Sequence, residues 1–182
     1  YYSDRYVDSL AALIEKTLHP RVLLDIGGNT GKFALAMLKA SETARVVLID
    51  LPQQCSLAKE NKALHPYADR FSCAPVNWLE QQAAPQIEPK GDVIWMSQFL
   101  DCFSPEQAVS ILLRAKALLA QKGRFAVLEC LTDQQSYPAA QLSLAASSLY
   151  FTAIANGNSR FYRRAELMAI FDAAGLDIEF EK

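Results

Sequence analysis

The chain has 182 residues, of which 51% are hydrophobic, and its formal net charge is −2. This length and composition are sufficient for one domain with a buried core. Lysine and arginine residues are dispersed along the chain, which argues against a nucleic-acid-binding surface.

Apolar residues at helical spacing predict a first helix over residues 3–18. The sequence Ser104, Pro105 and Gln107 predicts the start of a long helix, which Gly123 is expected to end. Strands are predicted at residues 22–26, 45–50, 71–76, 92–97, 124–129 and 177–181, and further helices at 32–39, 53–64, 139–155 and 163–174, the last stopped by Gly175. Apolar strands that alternate with amphipathic helices predict an α/β fold with a doubly wound, mostly parallel sheet.

The four cysteines and the most apolar segment bear on where the protein works. The cysteines are widely separated, with no C-x-x-C pair, so we expect reduced thiols in a cytoplasmic protein. No spacing of candidate ligands indicates a metal site. Residues 138–155 are apolar but interrupted by glutamine, serine and threonine, which predicts a packed helix and not a membrane span.

Polar side chains lie at or just beyond the carboxyl ends of five predicted strands. In the order of the strands they are Asp25, Asp50, Asn77, Asp101 and Glu129. In sheets of this kind, ligands bind beyond the carboxyl ends of the strands. None of these positions carries arginine or histidine, so this edge suits a cationic ligand without phosphate better than a pyrophosphate.

The most specific motif lies at residues 23–34, which read as a buried strand, a glycine-rich turn and the start of a helix. A phosphate-binding P-loop is excluded because Ile26 and Phe33 stand where it needs glycine and serine or threonine. A dinucleotide fingerprint, G-x-G-x-x-G, is excluded because Asn29 and Lys32 replace its second and third glycines. What remains is an acid at the strand end followed by G-G-x-x-G.

This pattern resembles the first motif of the S-adenosylmethionine (SAM)-dependent O-methyltransferases, the family of caffeate- and flavonoid-type enzymes and bacterial polyketide O-methyltransferases. Further similarity lies at residues 2–9, 49–52, 76–79 and 126–129. The resemblance implies a Rossmann-like class I methyltransferase fold, with S-adenosyl-L-methionine as cofactor and S-adenosyl-L-homocysteine as product. It also implies that residues 1–182 are the C-terminal catalytic domain of a homodimeric protein. We expect a fragment that lacks the N-terminal dimerisation domain and could lack the last strand.

The residues expected to bind the cofactor combine the glycine turn with the polar strand ends. The glycines let the backbone approach a ligand and leave helix N–H groups free for its carboxylate. Asp50 can accept both ribose hydroxyls, and Asn77 with Trp78 can pair with and cover an adenine ring. The full set is Asp25, Gly27, Gly28, Gly31, Asp50, Leu51, Asn77, Trp78 and Ser97.

The residues expected to contact the methyl acceptor come from the first helix and from the end of the apolar helix. They are Tyr2, Tyr6, Phe151 and Asn156. For the tyrosines, a hydrophobic helix face that carries amphipathic side chains is the slightly favoured interpretation. For Tyr150 and Phe151, packing in the core is the favoured interpretation.

The main departure from the family lies at its catalytic histidine. The family's L-H-D-W-S-D-E reads L-D-C-F-S-P-E at residues 100–106, so Asp101 replaces the histidine, and Glu129 matches the neighbouring glutamate. A carboxylate with a pKa of about 3.9 is roughly six pKa units, or about 8 kcal/mol, short of deprotonating a phenol with a pKa of about 10. Catalysis therefore needs a pKa of Asp101 raised by burial, a more acidic acceptor, attack from a ring carbon, or proximity alone.

We therefore expect methyl transfer from SAM to a small aromatic or polyketide-like acceptor of secondary metabolism, either free or bound to a carrier. The family favours O-methylation, whereas the missing histidine favours methylation of a ring carbon. A catalytically inactive SAM-binding partner or scaffold is the alternative. A nicotinamide-dependent oxidoreductase is a third hypothesis, motivated only by the general strand–glycine–helix shape.

Overall fold

The computed structural model describes residues 6–80, 83–154 and 158–181. Along its length the chain divides into two compact units. The first unit extends to Ser97 and includes Ala117–Val127, and the second comprises Gln98–Lys116 and the chain from Leu128 onward.

The first unit is built on a five-stranded sheet with the strand order β3-β2-β1-β4-β5. The strands are β1 (Val22–Ile26), β2 (Arg45–Asp50), β3 (Phe71–Pro75), β4 (Gly91–Ser97) and β5 (Leu119–Leu128). β1 pairs in parallel with both β2 and β4, and β2 pairs in parallel with β3. The strand order reverses beside β1, which is the position where α/β sheets bind ligands. The predicted doubly wound, mostly parallel fold is confirmed.

Helices α1 (Val7–Leu18), α2 (Lys32–Ala40) and α3 (Pro52–Glu60) belong to the first unit. The predicted helix over residues 53–64 is wrong at its end, because α3 stops and a 3₁₀ helix, Lys62–Tyr67, follows. Asn61 causes the break: its side-chain oxygen accepts the backbone N–H of Ala63 at 3.1 Å. Asparagine favours such local bonds over a continuous helix.

The second unit contains a 3₁₀ turn (Leu100–Cys102) and the helices α4 (Pro105–Lys116), α5 (Pro138–Ile154) and α6 (Arg164–Ala173). The predicted start of α4 is confirmed. The Gln107 side chain accepts the Ser104 N–H at 2.9 Å, and the Ser104 hydroxyl accepts the Gln107 N–H at 3.3 Å. These reciprocal bonds form a capping box, which satisfies two backbone donors at the helix start.

The predicted end of this helix at Gly123 is wrong, because α4 ends at Lys116 and Gly123 lies inside β5. A Cβ at Gly123 would lie 3.0 Å from the Gly91 carbonyl oxygen and 2.9 Å from Leu119 Cδ2. Glycine is therefore needed here for the close approach of another strand. The predicted strand at 124–129 starts too late, because β5 begins at Leu119 and already contains Gly123.

The last predicted strand, residues 177–181, is wrong, since residues 176–181 form no strand. The expected stop of α6 is confirmed: Gly175 adopts φ +62°, and its N–H donates to the Asp172 carbonyl at 2.9 Å. The segment beyond is held by side chains instead, because Arg164 donates to both carboxylate oxygens of Glu181 at 2.7 and 2.6 Å.

Helix α5 differs from the expectation of a packed helix, because none of its residues is buried. Leu142 is 72% exposed, and Leu149 and Ile154 are similarly exposed. Tyr150 and Phe151 are also exposed, so the interpretation that they pack in the core is wrong. Within the described part of the chain, no helix combines the length and apolar character needed to cross a membrane.

Candidate active site

The glycine turn that joins β1 to α2 has a backbone that only a few residue types adopt readily. Gly27 and Gly31 both have φ +78°, and Asn29 has φ +50°. The Gly27 N–H donates to the Ile49 carbonyl at 2.9 Å, and the Gly31 N–H donates to the Gly28 carbonyl at 2.9 Å. Positive φ favours glycine, with asparagine the common exception, which explains the residue types in this turn.

Asp50, the last residue of β2, connects this turn to the neighbouring strand by a hydrogen bond. Its Oδ2 accepts the Asn29 N–H at 2.8 Å, and its Oδ1 accepts the Leu51 N–H at 2.7 Å. A carboxylate offers about four acceptor positions, so each oxygen keeps capacity for a further donor. Asp50 is therefore placed both to shape the turn and to accept ligand hydroxyls.

Asp25, the fourth residue of β1, is 2% exposed, and no described residue bonds its Oδ2. Burial, followed by the charge of Asp50, raises the pKa of Asp25 from 3.8 to about 7. A Cβ at Gly28 would lie 2.6 Å from Asp25 Oδ2 and 2.9 Å from Leu48 Cγ. The turn therefore lies directly against this carboxyl group, and only glycine fits at position 28.

The remaining predicted cofactor residues lie at or near the carboxyl ends of strands. Leu51 is the N-cap residue of α3 and is 41% exposed, which leaves apolar surface beside Asp50. Asn77 lies just beyond β3 and accepts the Leu79 N–H at 3.1 Å through its side-chain oxygen. The Trp78 side chain is only 5% exposed, so little of its ring is open to a ligand. Ser97 is the final residue of β4.

Glu129, in the second unit, directly follows β5. Its Oε1 accepts the backbone N–H groups of Phe99 and Leu100 at 3.0 and 2.8 Å. Its Oε2 is shielded from solvent and has no hydrogen-bond partner among the described residues. Burial, followed by the charge of Asp101, raises the pKa of Glu129 well above its ordinary value.

Asp101 lies in the 3₁₀ turn beyond β4 and in the same unit as Glu129. Burial raises its pKa above the ordinary value, while the Cys102 thiol, 3.6 Å from Asp101 Oδ1, acts in the opposite direction. The sequence-based objection that an ordinary aspartate is too weak a base is therefore reduced, since a raised pKa means a stronger base.

Three side chains that sequence analysis did not select, those of Tyr162, Arg160 and Glu166, belong to the same unit as this pair. The Tyr162 hydroxyl donates to the Phe103 carbonyl at 2.7 Å, and the ring is buried. The Arg160 guanidinium lies 5.2 Å from the centre of the Tyr162 ring and pairs with Glu166 at 3.0 Å. The backbone N–H of Arg160 also donates to the backbone carbonyl of Asp101 at 2.8 Å. No sequence motif predicts these contacts, because two of the four involve backbone groups, which every residue type carries.

The predicted acceptor residues are only partly tested by the structure. Tyr2 and Asn156 lie outside the described residues. Tyr6 precedes α1 in the first unit, and Phe151 lies on the exposed helix α5 of the second unit.

Among the described residues, no group of three or more histidine, cysteine or acidic side chains could hold a metal ion.

Solved structures share this fold. Mitomycin 7-O-methyltransferase MmcR matches 98% of this chain and 49% of its own length, with a TM-score of 0.80 at 22% identity. Human N-acetylserotonin methyltransferase, solved in complex with SAM, matches 98% of this chain and 48% of its own length, with a TM-score of 0.70 at 17% identity. The fold is that of the class I SAM-dependent methyltransferases.

The family follows from the sequence itself, since a sequence model of the O-methyltransferase domain matches residues 9–177. This chain belongs to that family. The 3-amino-4-hydroxybenzoate 4-O-methyltransferase of Streptomyces cremeus is 30% identical over 109 residues, which are 60% of this chain and 28% of that protein. The O-methyltransferase SfmM3 of Streptomyces lavendulae is 25% identical over 174 residues, 94% of this chain and 50% of that protein. The chain thus spans half or less of the length of these relatives.

The residues of the first unit fit SAM. The turn presents backbone instead of side chains at Gly27, Gly28 and Gly31, and Asp50 keeps acceptor capacity suited to a ribose diol. The Asp50 carboxyl group, and that of Asp25 when it is ionised, favour a cationic ligand over a phosphate.

Proposed function

We propose that this chain binds SAM and transfers its methyl group to the hydroxyl group of a small aromatic or polyketide-like acceptor. The observation that carries the proposal is the glycine turn fastened to Asp50 in a chain of the O-methyltransferase domain family. A phenolic acceptor is supported by the relative named for methylating 3-amino-4-hydroxybenzoate.

When bound, SAM supplies an electrophilic methyl group on a sulfonium and becomes S-adenosylhomocysteine. In this proposal, the open backbone at Gly27, Gly28 and Gly31 admits the cofactor, and Asp50 accepts the ribose hydroxyls. Leu51, Asn77, Trp78 and Ser97 stay predicted contacts. Asp25 contributes negative charge beneath the turn when it is ionised.

Asp101 is the proposed base that takes the proton of the acceptor hydroxyl as the oxygen attacks the methyl carbon. Its raised pKa supports this role, because the free-energy gap to an ordinary phenol becomes smaller. Proximity of donor and acceptor supplies the rest of the rate enhancement. The alternative is transfer of the methyl group to a ring carbon of the acceptor, because Asp101 replaces the histidine of the family.

The first experiment is a calorimetric titration of the purified chain with SAM and with S-adenosylhomocysteine, and NADH serves as the control. We expect micromolar binding of both sulfur ligands and none of NADH. Transfer of labelled methyl groups to a panel of phenols then identifies the acceptor. Asp101→Asn should keep SAM affinity and lose most of the transfer rate. Absence of SAM binding, or an N-methylated product, would contradict the proposal.

The chain is also proposed to be the catalytic part of a longer homodimeric protein. Its coverage of half or less of its relatives supports a longer protein, and the homodimer stays a prediction. We expect residues 1–182 alone to bind SAM but to turn over slowly. Full activity of this chain as a monomer, measured by methyl transfer and sedimentation, would argue against a need for further domains. Delivery of the acceptor on a carrier protein stays a prediction.

A further inference from the structure

The glycine turn after β1 is held by side chains that flank the two ends of α3. Asp50, which precedes α3, accepts the Asn29 N–H at 2.8 Å. Asn61, the C-cap residue of α3, donates from its side-chain Nδ2 to the Thr30 carbonyl at 3.1 Å. The two bonds have opposite polarity, because Asp50 accepts from the turn whereas Asn61 donates to it. Two adjacent residues of the turn are therefore fixed separately.

The Asn61 side chain is itself fixed in orientation. Its Oδ1 accepts the Ala63 N–H at 3.1 Å, and its backbone carbonyl accepts the Leu64 N–H at 2.9 Å. An asparagine amide carries an acceptor atom and a donor atom in one plane. The bond to Ala63 therefore orients the amide group, and its Nδ2 serves the turn through the Thr30 carbonyl.

Leu64, in the 3₁₀ helix that follows Asn61, packs against the same turn. A Cβ at Gly31 would lie 2.7 Å from Leu64 Cδ1. Leu64 is buried, and Gly31 is the N-cap residue of α2. The segment that starts at Asn61 therefore contacts the turn twice, by a hydrogen bond at Thr30 and by packing at Gly31.

The turn needs such contacts because its backbone is not one that the chain adopts readily. Asn29 has φ +50°, and Gly27 and Gly31 both have φ +78°. A left-handed conformation is unfavourable for a residue other than glycine and persists where the surrounding structure imposes it. When only a fraction of the molecules has the binding conformation, the apparent affinity for a ligand falls by that fraction. A bond that holds the turn before the ligand binds therefore raises affinity.

We propose that Asn61 is a positioning residue of the cofactor site, which acts through the Thr30 carbonyl to keep the glycine turn in its SAM-binding conformation. This inference rests on the proposed function, because it concerns the same site. Asn61 acts on the free protein, so its loss should weaken SAM binding and leave the transfer step of bound SAM unchanged. The KM for SAM should therefore rise while kcat stays at the wild-type value.

Arg70 provides the matched control, because it holds the opposite end of α2. Its Nη1 donates to the Ser41 and Ala44 carbonyls at 2.8 and 3.0 Å, and its Nη2 donates to the Leu38 carbonyl at 3.1 Å. These acceptors lie at or beyond the C-terminal end of α2, whereas the glycine turn precedes its start. Arg70→Lys keeps the charge but loses the planar fork of donors, so it should lower stability without disturbing the turn.

Asn61→Ser is the variant that tests the proposal. A serine hydroxyl can still accept the Ala63 N–H in a local turn, but it is too short to replace the bond to Thr30. We expect the Kd for SAM, measured by calorimetry, to rise about threefold or more, the value of one hydrogen bond. Arg70→Lys should lose stability in urea and keep the wild-type Kd. A wild-type Kd in Asn61→Ser, or equal losses of affinity in both variants, would overturn the inference.

Hydrogen exchange of the chain without SAM tests the hold on the turn directly. The N–H groups of Gly27, Asn29 and Gly31 are all hydrogen-bonded, so their exchange rates report opening of the turn. We expect faster exchange of these amides in Asn61→Ser and wild-type rates in Arg70→Lys. Unchanged exchange in Asn61→Ser overturns the role of Asn61 while SAM binding by the wild type still stands. Faster exchange in a chain whose wild type does not bind SAM overturns the proposed function instead, and with it the role of Asn61 in cofactor binding.

Discussion

The Asn29 backbone N–H donates to Asp50 Oδ2 at 2.8 Å, and this bond joins the turn after β1 to the end of β2. The two residues are 21 positions apart. The same carboxylate accepts the next backbone N–H, from Leu51, through its other oxygen. The residue proposed to bind the ribose is thus also the residue that shapes the glycine turn, so that one carboxylate contributes to two parts of the proposed cofactor site.

Replacing Asp50 by asparagine should weaken both the fold and SAM binding. The amide nitrogen of the new side chain would face a backbone N–H, which leaves one donor unsatisfied at a cost of about 1–3 kcal/mol. We expect SAM affinity to fall by about tenfold or more. Urea denaturation and calorimetric titration measure the two effects.

Asp92→Asn is the matched control for this change. Asp92 also accepts two backbone N–H groups, from Arg21 and Val22 at 2.9 Å each, but at the start of β1. It should lose comparable stability and keep wild-type SAM affinity. Equal losses of affinity in both variants would show that Asp50 acts only through stability.

Gly28→Ala should be destabilising because of a steric conflict. The new Cβ would lie 2.6 Å from Asp25 Oδ2 and 2.9 Å from Leu48 Cγ, so the turn or the carboxyl group must shift. We expect a loss of about 1–3 kcal/mol, typical of overpacking, together with weaker SAM binding. In Gly175→Ala only the positive φ is strained, because its nearest atom is Lys116 Nζ at 3.6 Å. That variant should bind SAM normally, and wild-type affinity in Gly28→Ala would contradict the close contact at the turn.

The stability of the protein should depend on pH through Asp25. Its pKa is raised from 3.8 to about 7 in the folded chain, so the folded state binds the proton more tightly than the unfolded state. The resulting stabilisation is complete below about pH 4 and is lost as the pH rises to about 7. Three pKa units correspond to about 4 kcal/mol.

Asp25→Asn tests this dependence. The variant lacks the pH-dependent stabilisation that protonated Asp25 gives the wild type. The free energy of unfolding of the variant minus that of the wild type should therefore increase from about pH 4 to about pH 7. Urea denaturation over this range measures the difference. A difference that stays constant with pH would mean that Asp25 is ionised throughout and that its burial is compensated.

Tyr162→Phe should destabilise the protein by about 1 kcal/mol, because the half-buried Phe103 carbonyl would lose the hydroxyl that donates to it at 2.7 Å. Tyr150→Phe is the control. Tyr150 is 61% exposed, and its change should stay within about 0.5 kcal/mol. Thermal unfolding of both variants distinguishes them, and equal melting temperatures would show that the Phe103 bond contributes little.

The elements predicted best were those defined by a local pattern. β1 and β2 have the predicted bounds, since each is a short apolar run bounded by polar residues. The start of α4 was also predictable, because its cap depends on Ser104 and Gln107, which are three positions apart. Gly175 stops α6 by a similarly local turn.

The errors arose where a distant contact decides the outcome. Gly123 was interpreted as a helix end, but its position is set by the close approach of Gly91, 32 positions earlier in the chain. Residues 177–181 have a strand-like composition but form no strand, and the ion pair of Glu181 with Arg164 holds the segment instead. Helix α5 is apolar but not buried, which composition alone does not reveal.

The sequence by itself determined the fold class, the family and the glycine turn, because these depend on residue types at fixed spacing along the chain. Only the tertiary structure decided the chemical state of the acids. In the sequence, Asp25 and Glu129 cannot be distinguished from any other acidic residue at a strand end. In the folded chain, burial raises the pKa of both. Solvation and neighbouring charge depend on residues brought together by folding, so no local pattern encodes them.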